Sequence, residues 1–363
     1  MRKSWLIAGI FLLMPRLGLA ADKILLEESF RKVPEQYIMP LDVETVAMRL
    51  LKGISAVDKS LKVGNDRDKI SLYYKGQLVK SLFKPQDKNG VAEWVSASSE
   101  IMDLAVRKSP LAEKYDFKMV DLMWSEAIKV YDEDSKFYFS PEDQKINQPR
   151  RLRSTVAERR GDNLYIRLRA FNAASRQTLE KALNDNGDAK GIILDLRGSP
   201  GGMLSEAVEL ADLFIDEGIA ASVKSRRDTI YYNTKPGDLS QGKKMVVLVD
   251  GNTASSAEVL AAALQEQGRA KLVGTLTYGK GTQQNLIELS DGAVLALTHA
   301  LVYTPSGNRL DRRGILPNYC TFEMPETKNI ENLLGLGENN PCPAEDRSES
   351  SLDPAVAEEL LKR

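Results

Sequence analysis

The feature that most constrains this chain is an alternation that begins at Asn163, in which strand, turn and helix follow one another repeatedly. Leu164 to Leu168 reads as a strand and Ser175 to Leu183 as a helix. Gly191 to Leu196 is an apolar run of the kind found in parallel strands buried on both faces. It ends in the turn Gly198-Ser199-Pro200-Gly201-Gly202 and an amphipathic helix, Leu204 to Ile215. A second such run, Met245 to Val249, leads through another turn into a helix over Ala257 to Gln267. Leu272 to Gly274, Asn285 to Leu289 and Ala293 to Tyr303 complete the strands, the last two joined at Ser290-Asp291-Gly292. Strand–helix–strand alternation means parallel pairing with right-handed crossovers. The expected class is therefore α/β (α+β), a core of βα units with a mixed sheet.

The preceding part, residues 21–148, reads as a mostly helical domain. Val43 to Val57 carries Val43, Val46, Ala47, Leu50, Leu51 and Ile54 at helical spacing, and Val120 to Val130 repeats the rhythm. Between them, Lys69 to Val79 alternates around Lys75-Gly76, which predicts a hairpin. Gln144 to Arg160 reads as a connector, the core as 149–322, and 323–363 as a peripheral tail with a weak last helix, Pro354 to Leu361.

At the start, Arg2 and Lys3 precede a short apolar stretch, Trp5 to Met14, then Pro15 and Gly18-Leu19-Ala20-Ala21. This order predicts a secretory signal over residues 1–20, cleaved after Ala20 or Ala21. The stretch is too short to cross a hydrocarbon core of about 30 Å. The expectation is an exported protein, periplasmic or extracellular, with no stable membrane span. In an oxidising compartment Cys320 and Cys342 most simply form one disulfide, which closes a loop worth about 3 kcal/mol. Two free thiols or a two-ligand metal site find little support without nearby histidines.

Charge and histidine content remove further classes. Fifty basic residues stand against 51 acidic ones, a net charge of −1, so there is no basic excess for nucleic acid. The chain has one histidine, His299. That excludes a multi-histidine metal centre, and a Ser-His-Asp triad would have to pass through His299, which reads as a structural or surface residue. No metal and no cofactor is expected.

Three segments lie where an α/β sheet carries its sites, at the C-terminal ends of strands. Asp195 to Gly202 is a strand entering a glycine-rich turn, able to present N–H groups to an anion; taken alone it is more often a packing device. In Asp250 to Glu258, Ser255 stands at the positive end of a helix, although simple capping is the blander reading. Gly274 to Gln284 imitates a phosphate loop through Gly274 and Gly279-Lys280, but Gly281 replaces the Ser or Thr that would hold magnesium. Ser81-Leu82-Phe83-Lys84 has a Ser-x-x-Lys spacing but no helix to present both side chains.

Taken together, DLR-x-x-x-GG at 195–202, Ser255-x-x-Glu258 and Thr277-x-Gly-Lys280-Gly with Gln284 resemble the carboxyl-terminal processing (tail-specific) serine peptidase family, which uses a Ser-Lys dyad. Lys280 follows Ser255 by 25 positions, as that pattern requires. Asp132-x-x-Ser135 with Ser140-Pro141-Glu142, Tyr303-Thr304-Pro305-Ser306-Gly307 and Gly314-Ile315-Leu316-Pro317 resemble further elements, so the likeness covers about 120–318.

The resemblance implies roles. Ser255 would be the nucleophile, Lys280 the general base and Gln284 the residue orienting it. The N–H groups of Gly202, with Gly201 as the alternative, and of Ser256 would form the oxyanion hole. Glu258, Glu266 and Thr277 match supporting positions. A lysine can serve as base near neutral pH only if desolvation brings it from about 10.4 toward about 7–8. Family members usually carry a PDZ domain after the Ser-Pro-Glu segment. Here Asp162 follows Glu142 by about twenty positions, so no PDZ domain is expected and substrate capture at a free carboxyl terminus is in doubt. The expected partners are protein or peptide substrates, with a homodimer or an adaptor protein left open. The alternative to an enzyme is a catalytically silent peptide-binding or scaffold homologue.

Overall fold

The computed structural model describes residues 17–146, 155–322, 330–344, 348 and 350–363. The charged and apolar regions of the expected leader, residues 2–14, and part of the expected connector lie outside the described residues. By contacts the chain divides into two units, Met1–Lys145 with Gln284–Thr298, and Ile146–Gln283 with His299–Arg363. The segment expected to continue the core sheet, 284–298, thus belongs with the N-terminal unit, and the tail belongs with the core.

In the first unit the helices are Leu17–Gln36 (α1), Val43–Lys52 (α2), Val91–Lys108 (α3), Pro110–Lys114 (α4), Met119–Ala127 (α5) and Pro141–Ile146 (α6). Asp42 caps α2 by accepting the Thr45 N–H at 2.8 Å. Strands Leu61–Asn65 (β1), Lys69–Tyr74 (β2) and Gln77–Phe83 (β3) form an antiparallel sheet. The β2–β3 hairpin turns at Lys75 (φ 50°) and Gly76 (φ 80°), both left-handed, as a two-residue primed turn requires. One buried cluster joins Leu26, Phe30, Leu50, Leu51, Trp94 and Trp124 to Leu295 and Leu297. The short strand Lys136–Tyr138 (β4) pairs with Val294 to Ala296.

The second unit is built on a six-stranded sheet. Its strands are Val156–Arg160 (β5), Asn163–Arg167 (β6), Gly191–Asp195 (β7), Lys244–Val249 (β10), Lys271–Gly274 (β11) and Tyr319–Cys320 (β14), in the order β14-β11-β10-β7-β6-β5. All pairs are parallel except β5–β6. The expected connector therefore ends in a strand, Val156–Arg160. Helices Ala173–Asp185 (α7), Leu204–Ala211 (α8) and Ser256–Glu266 (α9) join successive strands. The second of these stops four residues short of the expected Ile215, at Asp212, whose N–H bonds Val208 O. The antiparallel pair Ile219–Ser225 (β8) and Thr229–Asn233 (β9) was not foreseen, and β8 continues onto Ala300 to Tyr303.

Sequential parallel strands with one hand of crossover put α7, α8 and α9 on the same face. Ile192, Leu194, Met245, Val247 and Val249 accordingly pack with Leu179, Leu210 and Leu260. The alternate residues, Ile193, Val246 and Leu248, point to the other face, which the connections leave bare. The C-terminal helices Ile330–Gly335 (α10) and Asp353–Lys362 (α11) cover it with Leu333, Leu334, Val356 and Ala357. This corrects the expectation of a peripheral tail. Both faces of β7 and β10 must be shielded, and α10 and α11 supply the second shield. The sulfurs of Cys320 and Cys342 are bonded, tying β14 to the segment after α10.

Candidate active site

Strands β7, β10 and β11 are neighbours, so the loops leaving their C-terminal ends stand side by side. In the first loop Asp195 is fully buried and accepts from Tyr165 Oη at 2.5 Å, Arg197 Nε at 2.9 Å and Arg197 Nη2 at 2.7 Å. Burial raises its carboxyl, but the hydrogen bonds and charge of Arg197 more than offset this and leave it below the ordinary value. The same guanidinium donates through Nη1 to Asp353 Oδ2 at 3.2 Å. Asp353 opens α11, accepts from Thr321 Oγ1, and is pushed up by burial to about 6.

The second loop is built around Asp250. Its Oδ1 accepts the Gly198 N–H at 2.9 Å, the Asn252 N–H at 3.0 Å and the Thr253 hydroxyl at 3.0 Å, so one carboxylate shapes its own turn and holds the first loop. Ala254 N–H donates to Ser199 O at 2.9 Å, and Ser256 Oγ to Gly202 O at 2.8 Å. Gly201 (φ 85°) comes so close that a Cβ there would sit 2.6 Å from Ala254 O and 2.7 Å from Ser256 N. Only glycine fits. Ser255 itself has φ 58° and ψ −124°, a left-handed conformation that costs a non-glycine residue about 1–3 kcal/mol and must be held by its surroundings.

The third loop leaves β11 at Gly274 (φ 137°), where a Cβ would fall 1.8 Å from Val249 O. Tyr278 N–H reaches back to Thr253 O at 3.0 Å. The loop runs into strand Thr282–Glu288 (β12) rather than into a helix, so the phosphate-loop reading lacks its helix N-terminus.

Glu258 joins the second and third loops. Its carboxylate is fully buried in the first turn of α9 and accepts four hydrogen bonds. Oε2 takes the Ser255 N–H at 2.8 Å and the Lys280 N–H at 2.9 Å; Oε1 takes the Gly279 N–H at 2.7 Å and the Thr277 hydroxyl at 2.5 Å. Burial raises its carboxyl against the pull of these donors. The Thr277 hydroxyl in turn accepts the Ile315 N–H at 2.7 Å. The backbone nitrogens of Ser255 and Lys280 are thus each within 2.9 Å of one oxygen atom. Among the described residues Lys280 Nζ makes no hydrogen bond and has no carboxylate within 4 Å.

The structure therefore brings together Ser255, Lys280, Gly201, Gly202, Ser256, Glu258 and Thr277. It does not bring Glu266 to them. That residue ends α9, ten positions from Ser256, and its exposed carboxylate accepts the Ser306 N–H at 2.7 Å. Its partner is the turn at 304–307. In the first unit, Gln284 Nε2 donates to Thr298 Oγ1 at 3.3 Å. Thr298 Oγ1 donates to Asp132 Oδ1 at 2.9 Å, and Asp132 Oδ2 accepts from Ser135 Oγ at 2.7 Å. His299 is half-buried in strand Val294–Tyr303 (β13), and burial lowers its imidazole. Lys84 is paired with Glu44 at 2.9 Å and Ser81 Oγ lies 2.8 Å from Ser71 Oγ, so neither is poised for chemistry. The roles of Arg197, Asp250 and Asp353 escaped the sequence reading; the Asp250-Gly-Asn-Thr turn could have been read as an Asx turn, whereas Arg197–Asp353 spans 156 positions and left no local signal.

A strained serine between a buried parallel strand and a helix, facing a glycine-lined turn, thus stands at the C-terminal edge of the α/β sheet. Residues 162–321 match the model of peptidase family S41. A carboxy-terminal-processing protease of Bartonella bacilliformis is 39% identical over 188 residues, covering 49% of this chain and 43% of that protein. A carboxyl-terminal-processing protease of Synechocystis sp. is 41% identical over 156 residues, 42% of this chain and 36% of its own. The matches thus span less than half the length of these curated relatives. Among solved structures, a lipoprotein from Streptococcus agalactiae aligns over 90% of this chain and 98% of its own with a TM-score of 0.50 at 16% identity, a likeness of fold alone. Among the described residues no helix is long and apolar enough to cross a membrane.

Proposed function

We propose that this chain is an exported serine endopeptidase of the carboxyl-terminal processing type, in which Ser255 is the nucleophile and Lys280 the general base. The observation that carries the reading is the single Glu258 oxygen accepting from both Ser255 N–H and Lys280 N–H. It fixes the two loops against each other and leaves the Lys280 side chain, among the described residues, without a carboxylate partner.

Each step follows from those positions. Ser255 Oγ attacks the scissile carbonyl carbon while the neutral Lys280 amine takes its proton. The carbonyl π-pair moves onto oxygen, where the N–H groups of Ser256 and of Gly202 or Gly201 meet it, each worth about 3 kcal/mol. Collapse breaks the C–N bond, and the Lys280 ammonium protonates the leaving amine. Water, deprotonated by the same amine, then cleaves the acyl ester and restores Ser255. Gln284, held through Thr298 and Asp132, is the orienting residue in this reading, and no cofactor takes part. Substrates are unfolded or flexible polypeptides, recognised without a PDZ domain between Glu142 and Asp162.

Ser255→Ala and Lys280→Ala, each measured on an unfolded reporter, should lower turnover at least about 10³-fold. A fluorophosphonate probe should label Ser255 in the unaltered chain. Undiminished turnover in either variant overturns the dyad, and an unlabelled Ser255 together with no turnover in the unaltered chain returns it to a peptide-binding scaffold.

A further inference from the structure

The C-terminal end of β6 brings two arginines to the first loop. Arg167 ends the strand and Arg169 lies two residues on. A Cβ built on Gly198 would lie 3.5 Å from Arg169 Nη1, so this guanidinium stands directly against the turn. Phe171, two residues further, bridges to Gly202, where a Cβ would fall 2.6 Å from Phe171 O. The segment carrying Arg169 therefore runs beside the turn that supplies the proposed oxyanion hole. Arg169 is half-buried, yet among the described residues it makes no hydrogen bond and has no carboxylate within 4 Å. Arg167 Nε is buried without a hydrogen-bond partner, 3.8 Å from Asp195 Oδ2. The acids of these loops are already committed. Asp195 accepts from Tyr165 and Arg197, and Asp250 Oδ1 from Gly198, Asn252 and Thr253. A guanidinium carries five donors, and shielding it from water without acceptors is costly.

We propose that Arg169 is a substrate-binding residue that captures a carboxylate of the polypeptide being cleaved, with Arg167 adding positive charge at the same strand end. The proposal rests on the peptidase reading of Ser255. A polypeptide carries this group in two forms, its C-terminal carboxylate and the side chains of Asp and Glu, and the planar fork of arginine matches either with two parallel hydrogen bonds. Position limits where the group can lie. From Gly198 three residues of chain lead to Gly201, where a Cβ would sit 3.1 Å from Ser255 Cβ. Arg169 is therefore at most about 20 Å from the serine, a span of about six extended residues. The captured carboxylate falls within that distance of the scissile bond. Recognition then resides in the peptidase core itself, on a residue that the proposed chemistry leaves unused.

The test measures binding to the full chain carrying Ser255→Ala, by fluorescence anisotropy, so that it does not depend on turnover. Three labelled peptides share one sequence without acidic side chains. The first ends in a free carboxyl close to the cleavage point, the second in an amide, and the third in an amide with one Gln replaced by Glu. The first or the third should bind at least about tenfold more tightly than the second, and which of them does so identifies the source of the carboxylate. Adding Arg169→Gln should bring all three to the same affinity. Arg169→Lys, which keeps the charge and loses the fork, should reduce the preference at least about threefold. Equal binding of the three peptides, no measurable binding of any, or a preference that survives Arg169→Gln overturns the proposal. Should Arg169→Gln fail to fold, an undiminished preference in Arg169→Lys overturns it instead. Turnover of the same peptides by the unaltered chain is a separate measurement: its absence beside an intact preference removes the peptidase reading and leaves the carboxylate site standing.

Discussion

Glu258 and Asp121 are both carboxylates buried in the first turns of helices, yet the molecule treats them oppositely. Around Glu258 four donors from two loops are aimed at both oxygens, whereas Asp121 faces another carboxyl and leaves one oxygen empty. Burying a carboxylate costs little once its lone pairs are filled and much when they are not. The first arrangement is a finished joint that sets the separation of two loops; the second leaves a buried acceptor unfilled. The difference teaches that a buried carboxyl organises two loops in one unit and carries an unfilled acceptor in the other, and that the hydrogen-bond inventory tells them apart.

The comparison can be broken most directly by Glu258→Gln. An amide turns its NH2 toward N–H donors, so a loss of about 3 kcal/mol in urea unfolding and a fall in kcat of about 10²-fold are expected. Asp121→Asn, at an oxygen that no donor fills, should be neutral or slightly stabilising; a comparable loss there would end the contrast. Next in size is a pH effect at Asp353. Its folded value of about 6 lies above the ordinary 3.8, so the folded chain keeps the proton longer. The stability this gives is complete below pH ~4 and disappears as pH rises through about 6, on the order of 3 kcal/mol in all. Asp353→Asn should flatten that part of the stability–pH curve, and an unchanged curve would remove Asp353 as its source. Thr277→Val, which deletes one of the four donors to Glu258, should cost about 1–2 kcal/mol and lower kcat more than it alters KM. The smallest effect belongs to Glu266→Ala. Because its carboxylate serves the turn at Ser306, kcat/KM should stay within about twofold, and a large drop would restore it to the catalytic neighbourhood.

Much of the second unit was legible because its elements repeat a pattern. The runs at 191–194 and 245–249 are apolar on both faces, and Gly201 and Gly202 after the first mark a turn where Cβ atoms do not fit. The β2–β3 hairpin was legible from Lys75-Gly76 for the same local reason. Helix α3 was missed although Trp94, Val95, Ser98, Ile101, Met102 and Ala105 are buried at helical spacing. The β8–β9 pair was missed because β9 is almost wholly exposed and carries no alternation. In the site, the residue types were readable while the connections were not: Ser255 and Glu258 sit three apart, but Glu258 also bonds Lys280, 22 positions further on.

From the order of its residues alone, this chain has a parallel α/β core, the turns that end its strands and a serine placed at the mouth of a helix, because periodicity and glycine are local properties. Tertiary structure alone decided that the last helix shields the sheet and that Arg197 meets Asp353. It also decided that one carboxylate is saturated while another keeps an unfilled oxygen. Those outcomes depend on which groups meet across long stretches of chain in a space closed to water, where each unmet hydrogen bond has a cost that no neighbouring residue reveals.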